Sequence, residues 1–186
     1  MYHYTNQSSA EISRLEVIRK LKILDSPYEA LFNTITRAIS EVCQTPIALV
    51  SFIEEDRHWF KPKVGLASMV EMPSELAFCW HTIMATGVFE VKDATLDIRF
   101  DKNPLVTGKP HIRFFAGASI SLPLGEKIGS LCVMDTEPNQ LTDYKKAALE
   151  GFAKVISQAL IIRDAHSRIA LGTAALDIAY KKPLLN

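Results

Sequence analysis

The stretch Asn103-Pro104-Leu105-Val106-Thr107-Gly108-Lys109-Pro110-His111-Ile112-Arg113-Phe114-Phe115-Ala116-Gly117-Ala118 decides the fold, because in it a rigid Pro/Gly loop runs straight into a strand-like aromatic run. Pro104 and Pro110 fix backbone angles and Gly108 permits a turn. Phe114 to Ala118 then sets large side chains beside very small ones, which leaves room for something else. The run reads as the wall of a pocket. Around it, Ile112 to Leu122 and Ile128 to Met134 read as two central strands joined at Pro123, Gly125 and Glu126.

Working upstream, Phe89 to Val91 is a short strand that ends in Asp93 and opens into a long connection through Asp97, Arg99, Asp101 and Gly108. A loop of that length in a compact domain is usually functional or disordered, and its aromatic and apolar content argues against disorder. Ala77 to Met84 suggests a short helix carrying Cys79, His81 and Ile83. Pro46 to Ile53, the turn-like Glu54-Glu55-Asp56 and His58-Trp59-Phe60-Lys61 form a hairpin pattern. Two amphipathic helices precede it. The first starts near Ala10 under a Ser8 or Ser9 cap, places Ile12, Leu15, Ile18 and Leu21 on its apolar side, and stops at Asp25-Ser26-Pro27. The second, Tyr28 to Cys43, buries Leu31, Phe32, Ile35, Ile39 and Val42.

Downstream, a long helix starts at Thr142. Ala148, Phe152, Val155, Ala159, Ile162, His166 and Ile169 recur on it at heptad spacing. One core-facing stripe would explain them, but Leu149, Ile156 and Leu160 form a neighbouring apolar stripe. The helix can therefore face its own sheet with one side and a partner with the other. The signal fades past Gly172, and Pro183 ends any helix. This order describes an α+β fold, an antiparallel sheet covered by helices with long terminal helices. The expected organisation is an N-terminal helix over 1–26, a domain over 27–165 and a helical extension or tail over 166–186.

With 186 residues the chain has about one domain's worth of core. Its 21 Lys+Arg balance 21 Asp+Glu, so it lacks the clustered positive excess that nucleic acid or an anionic membrane would require. The cluster Arg14, Arg19, Lys20 and Lys22 alternates with Glu11 and Glu16 and reads as a solvated helix face. Cys43, Cys79 and Cys132 are odd in number and far apart, which suits a reducing cytoplasm and not a secreted disulfide framework. The first residues lack a signal-peptide pattern, and no apolar run approaches the ~20 residues of a membrane helix. A cytoplasmic protein is expected.

Taken with Phe78-Cys79-Trp80-His81 and Gly129-Ser130-Leu131-Cys132-Val133-Met134-Asp135, the opening stretch resembles the GAF family of bacterial small-molecule sensor domains, from about Glu11 to Ala165. The resemblance implies a GAF-like central antiparallel sheet with helices packed on its faces. It also implies a ligand held between the sheet and the irregular segment after the middle strands, around Phe78 to His81 and Asp93 to Val106. The candidate ligand-binding residues are Phe78, Cys79, His81, Asp93, Arg99, Asn103 and Phe115. The expected function is a sensory or regulatory module that binds an unknown small molecule without a cofactor. It would form a homodimer through its terminal helices and signal to an effector protein. It is not expected to be an enzyme. The chain holds no kinase ATP site and no Gly-Gly-Asp-Glu-Phe cyclase motif, so it would act on a partner or be the input domain of a longer protein.

Cys79 and His81 lie two apart, about 200° around a helix, so they do not share a face, and a core thiol with a hydrogen-bonded imidazole is the ordinary reading. The sharpest rival is a branch of the family, the free methionine-(R)-sulfoxide reductases, which place an Asp fourteen positions after a Cys, as Cys79 and Asp93 are placed. Those enzymes carry another cysteine about ten residues further on, where this chain has Asn103, so Cys79 would need Cys132 or an external thiol to resolve a sulfenic acid. The bilin-binding branch attaches its chromophore at a Cys-His dipeptide, which is missing here. The five histidines show no metal-ligand spacing with the cysteines, and no phosphate-binding glycine loop or nucleophile elbow occurs. Asp93, Arg99 and Asp101 read first as surface ion pairs, and second as a lid in which Arg99 meets an anion. Trp59, Phe60, Phe78 and Trp80 read first as core.

Overall fold

A computed structural model describes residues 9–21, 30–53, 57–65, 71–73 and 78–180. The β-branched and apolar runs become a six-stranded sheet: β1 (Ile47–Ile53), β2 (Arg57–Val64), β3 (Glu71–Pro73), β4 (Phe89–Val91), β5 (Phe114–Ser121) and β6 (Lys127–Asp135). Their spatial order is β3-β2-β1-β6-β5-β4 and every pairing is antiparallel. β1 and β6 sit at the centre, with Ser51 opposite Ser130 and Phe52 opposite Gly129.

Both faces of the sheet are covered, which is why β1 is buried along its whole length and lacks the polar alternation of a solvent-facing strand. On one face Ala48, Val50, Phe52, Leu131 and Val133 pack with α1 (Ser9–Leu21), α2 (Ala30–Cys43) and α5 (Asp143–Tyr180) through Ile18, Phe32, Ile39, Leu149, Ala153, Ile156 and Leu160. On the other, Ile47, Leu49, Phe115, Cys132 and Met134 lie under α3 (Phe78–Met84) and the connection that follows β4. That second layer is where the candidate site lies. Thr142 starts α5 by accepting a hydrogen bond from the Lys145 amide (3.3 Å), and Lys145 Nζ donates to the Cys43 carbonyl (2.9 Å), tying α5 to the end of α2.

Several details depart from the sequence expectations. α1 has 13 residues, so the described N-terminal helix is short. Leu15 and Ile18 bury it against the domain while Ile12 stays 47 % exposed. Arg14 does not belong to a solvated face: it is buried, and its guanidinium donates to the Ile53 carbonyl at the end of β1. Arg19 and Lys20 are exposed as expected, and Lys22 lies outside the described residues. Leu31 is exposed, and the helix interior is closed by Thr36 and Cys43 instead. The expected start of α2 at Tyr28 and the turn at Glu54-Glu55-Asp56 also lie outside the described residues. α5 continues unbroken past residue 165 and past Gly172 to Tyr180. Among the described residues no helix is long and apolar enough to cross a membrane.

The two stripes of α5 separate as their spacing requires. Leu149, Ala153, Ile156 and Leu160 enter the core, whereas Val155 (46 %), Ile162 (55 %) and Ile169 (64 %) are exposed at intervals of seven. Ala148, Phe152 and Ala159 lie between, partly buried against the core edge.

Candidate functional site

α3 can approach the sheet because Gly117 lacks a side chain. A Cβ there would stand 2.6 Å from Thr82 Oγ1 and 3.0 Å from Thr82 Cγ2. The helix therefore lies close over β5 and β6, and Phe78 enters between two other rings. Its ring stacks on Phe100 at 4.3 Å and on Phe115 at 5.0 Å. One turn along, His81 stacks on Phe89 at 5.6 Å and meets Phe100 edge-on at 5.0 Å. Offset and edge-to-face contacts at these separations stabilise beyond simple area burial.

A charged rim closes this aromatic cluster. Arg99 lies over the rings of Phe89 (5.0 Å) and Phe100 (5.2 Å), and holds Asp97 in a fork: Nε to Oδ1 at 2.8 Å and Nη2 to Oδ2 at 2.5 Å. The Arg99 hydrogen bonds hold the Asp97 carboxyl below the usual carboxylate range, and Asp97 in turn raises Arg99. His81 titrates below the usual imidazole value, first because burial disfavours its charged form and second because Arg99 repels a proton, with Asp97 opposing.

Of the seven candidate residues, Phe78, His81, Arg99 and Phe115 come together in this cluster. Cys79 does not face it: its sulfur turns to the sheet and lies 3.6 Å from Cys132 Sγ. Asp93 closes its own turn, accepting from the Thr95 hydroxyl (2.7 Å) and amide (2.9 Å), bonds that hold its carboxyl below the usual range. Asn103 caps α4 (Pro104–Thr107), its Oδ1 accepting from the Leu105 amide at 2.9 Å with Pro104 in the first turn. The charge pair of the connection is Arg99 with Asp97, and it stands at the rim of the aromatic cluster.

Phe89, Asp97 and Phe100 also belong to the cluster, although sequence reasoning does not single them out as ligand contacts. Phe100 carried a usable signal: it is a lone aromatic between Arg99 and Asp101 in a polar connection, and it is 3 % exposed. The space assigned to a ligand is filled by these rings, since Phe78 is 2 % and Phe115 0 % exposed. Thr82 Oγ1, facing Gly117, is buried without a hydrogen-bond partner. A separate open groove of ≈ 330 Å³ lies between α5 and the end of β5, lined by Gly87, Ser119, Ser121, Glu150, Lys154 and Gln158 among others. Among the described residues no cluster of His, Cys, Asp and Glu is arranged to hold a metal ion.

With this architecture in place, residues 27–160 match the GAF domain, well over half of the chain. The chain belongs to the GAF domain family. Solved structures agree with the fold. The GAF domain of an Acinetobacter phosphoenolpyruvate-protein phosphotransferase superposes with a TM-score of 0.59 at 14 % identity, covering 88 % of this chain and 97 % of that one. The free methionine-R-sulfoxide reductase of Neisseria meningitidis, solved with its substrate, gives 0.59 at 14 % identity over 91 % and 98 %. At such identities these likenesses concern the fold alone. A curated relative, a cyclic di-GMP phosphodiesterase of Pseudomonas aeruginosa, is 42 % identical over 147 residues, 78 % of this chain. The chain spans about a quarter of that relative's length (25 %). The relative's name corrects the expectation that the chain stands apart from enzymes, because a protein this similar across the GAF domain is itself named as one.

The depressed His81 sets one pH dependence. Its folded-state value lies below that of the unfolded chain, so unfolding takes up a proton. Stability therefore rises with pH through this window and is lost as pH falls below about 6.5. The low Asp93 and Asp97 act in a different window, their contributions disappearing only below about pH 4. Thermal midpoints measured between about pH 5 and 7 are expected to fall more steeply in the wild type than in His81→Phe. Equal slopes would remove His81 as the cause.

Proposed function

We propose that the chain is the sensory GAF part of a cytoplasmic cyclic di-GMP phosphodiesterase, binding a small molecule under α3 and passing its occupancy through α5 to the catalytic output. The relative's name and the extent of the match support the enzyme context. The observation that carries the sensory reading is the pair of contacts made by Glu90. This residue follows Phe89 on β4, accepts from the Leu141 amide at 2.7 Å and pairs with Lys146 on α5 at 2.8 Å. One strand thus presents a ring to the aromatic cluster and a carboxylate to the start of the long helix. Displacing Phe89 moves Glu90, and with it the N-terminal turn of α5.

The ligand that suits the site has a flat apolar part, to take a place in the Phe78, Phe100 and Phe115 stack, and a hydrogen-bonding group for the orphan Thr82 hydroxyl. Its entry requires α3 and the Asp93 to Gly108 connection to part, as closed aromatic cores open only by local displacement. The exposed Val155, Ile162 and Ile169 support dimerisation along α5, which would align two output regions.

A thermal-shift screen with small metabolites tests this reading. A compound that raises the midpoint should lose about 5- to 150-fold in affinity in His81→Ala and Arg99→Ala. In Glu90→Ala it should still bind, while the protection it confers on α5 amides against hydrogen exchange disappears. Unchanged affinity in both rim variants would move the site elsewhere. Unchanged protection in Glu90→Ala would break the proposed link.

A further inference from the structure

Two of the three buried thiols are neighbours. Cys79 Sγ on α3 and Cys132 Sγ on β6 lie 3.6 Å apart although 53 positions separate them in the chain, and both residues are buried. Cys132 pairs across the ladder with Gly117, the residue whose missing side chain lets α3 close down, so the same vacancy that seats the helix brings the sulfurs together. Ser130 Oγ stands 2.9 Å from Cys132 Sγ and 3.1 Å from Ser51 Oγ, so a hydroxyl pair supports the sulfur from the other side. Cys43 is remote from this arrangement. It lies at the end of α2 beneath Lys145, and burial pushes its thiol up to about 11.

We infer that Cys79 and Cys132 are a redox-modifiable dithiol that peroxide converts into an intramolecular disulfide, covalently stapling α3 to the central strand β6. Contact of the two sulfurs leaves only a short closure to bonding distance, about 2.05 Å. The reaction balances in two steps. One thiol ionises and its thiolate attacks a peroxide oxygen; the O–O bond breaks, and the departing hydroxide takes up the thiol's proton, giving a sulfenic acid and one water. The neighbouring thiol then displaces the sulfenic oxygen as a second water, forming the S–S bond. The two sulfurs lose two electrons and two protons, and the peroxide is reduced to two waters. Burial holds the Cys132 thiol well above its ordinary value, as does the adjacent Cys79, so the pair rests as a dithiol until an oxidant arrives. Peroxide is close to water in size, and α3 is a single layer of cover whose Trp80 and His81 are only half-buried, so a local opening of that helix admits it.

The staple fixes the helix that carries Phe78 and His81. Its effect on ligand entry rests on the proposed sensory function, whereas formation of the bond does not. The test uses the whole chain, purified reduced and titrated with hydrogen peroxide in its native state. The expected product is lighter by about 2 Da, with one cross-linked peptide joining residues 79 and 132, reversed by dithiothreitol, and with Cys43 still free for alkylation after unfolding. Amides of α3 should then exchange at least about tenfold more slowly than in the reduced protein. Cys132→Ser should abolish the cross-link and leave Cys79 to accumulate oxygen adducts. Oxygen adducts on wild-type Cys79 without a cross-link, or native thiols that stay unmodified while the unfolded chain oxidises, would overturn the proposal. A cross-link that leaves α3 exchange unchanged would overturn the staple.

Discussion

Replacing Phe78 with alanine is expected to destabilise the domain by about 3–5 kcal/mol, a large share of the 5–15 kcal/mol typical of a folded domain. The ring is 2 % exposed and sandwiched between Phe100 and Phe115, which come from the connection after β4 and from β5. Its loss removes the transfer free energy of a buried aromatic and leaves a cavity that three elements would have to collapse to fill. Phe78→Leu, which refills much of the space, should cost only about 1–2 kcal/mol. Urea unfolding measures both, with the midpoint moving and the slope unchanged. A loss below about 1 kcal/mol in Phe78→Ala would show that this ring does not hold α3 to the sheet.

Ile162→Glu is expected to weaken self-association by at least about two orders of magnitude without reducing the stability of the separated protomer. Ile162 is 55 % exposed in the single chain, so a carboxylate there stays solvated and costs nothing by itself. In a dimer packed along Val155, Ile162 and Ile169 the same charge would be buried unpaired at the centre of the seam. Leu160→Glu makes the contrast, because Leu160 is fully buried in the protomer and its replacement should unfold the chain instead. Sedimentation should find a wild-type dimer and a folded Ile162→Glu monomer. A wild-type monomer across the micromolar range would remove the seam from the account.

Sequence spacing located most of the fold because most of it depends on local periodicity. The two central strands, the β1 and β2 hairpin, α3 and the two stripes of α5 each write their burial into alternation or heptad spacing. Features that depend on a distant partner were not legible. Arg14 looks like one more charge on a mixed helix face, and only the fold sets it beneath the Ile53 carbonyl. Cys79 and Cys132 give no hint of contact across 53 positions, and sequence alone offers Cys132 or an external thiol as the partner of Cys79 without choosing between them. The candidate site was half legible. Phe78, His81, Arg99 and Phe115 were named, but Asp93 and Asn103, singled out by spacing, serve a turn and a helix cap. α4 was hidden because four residues, the first of them a Pro, are too few to show a period.

The central claim is that the aromatic cluster under α3 is a small-molecule site coupled to α5. Native mass spectrometry of the chain, purified gently from its own cells and compared with His81→Ala and Arg99→Ala, tests it most directly. The account predicts one non-covalent small molecule per protomer in the wild type and its loss from both variants. A bound molecule retained in both, or a wild-type protein that carries none and takes up none from a metabolite extract, would contradict it.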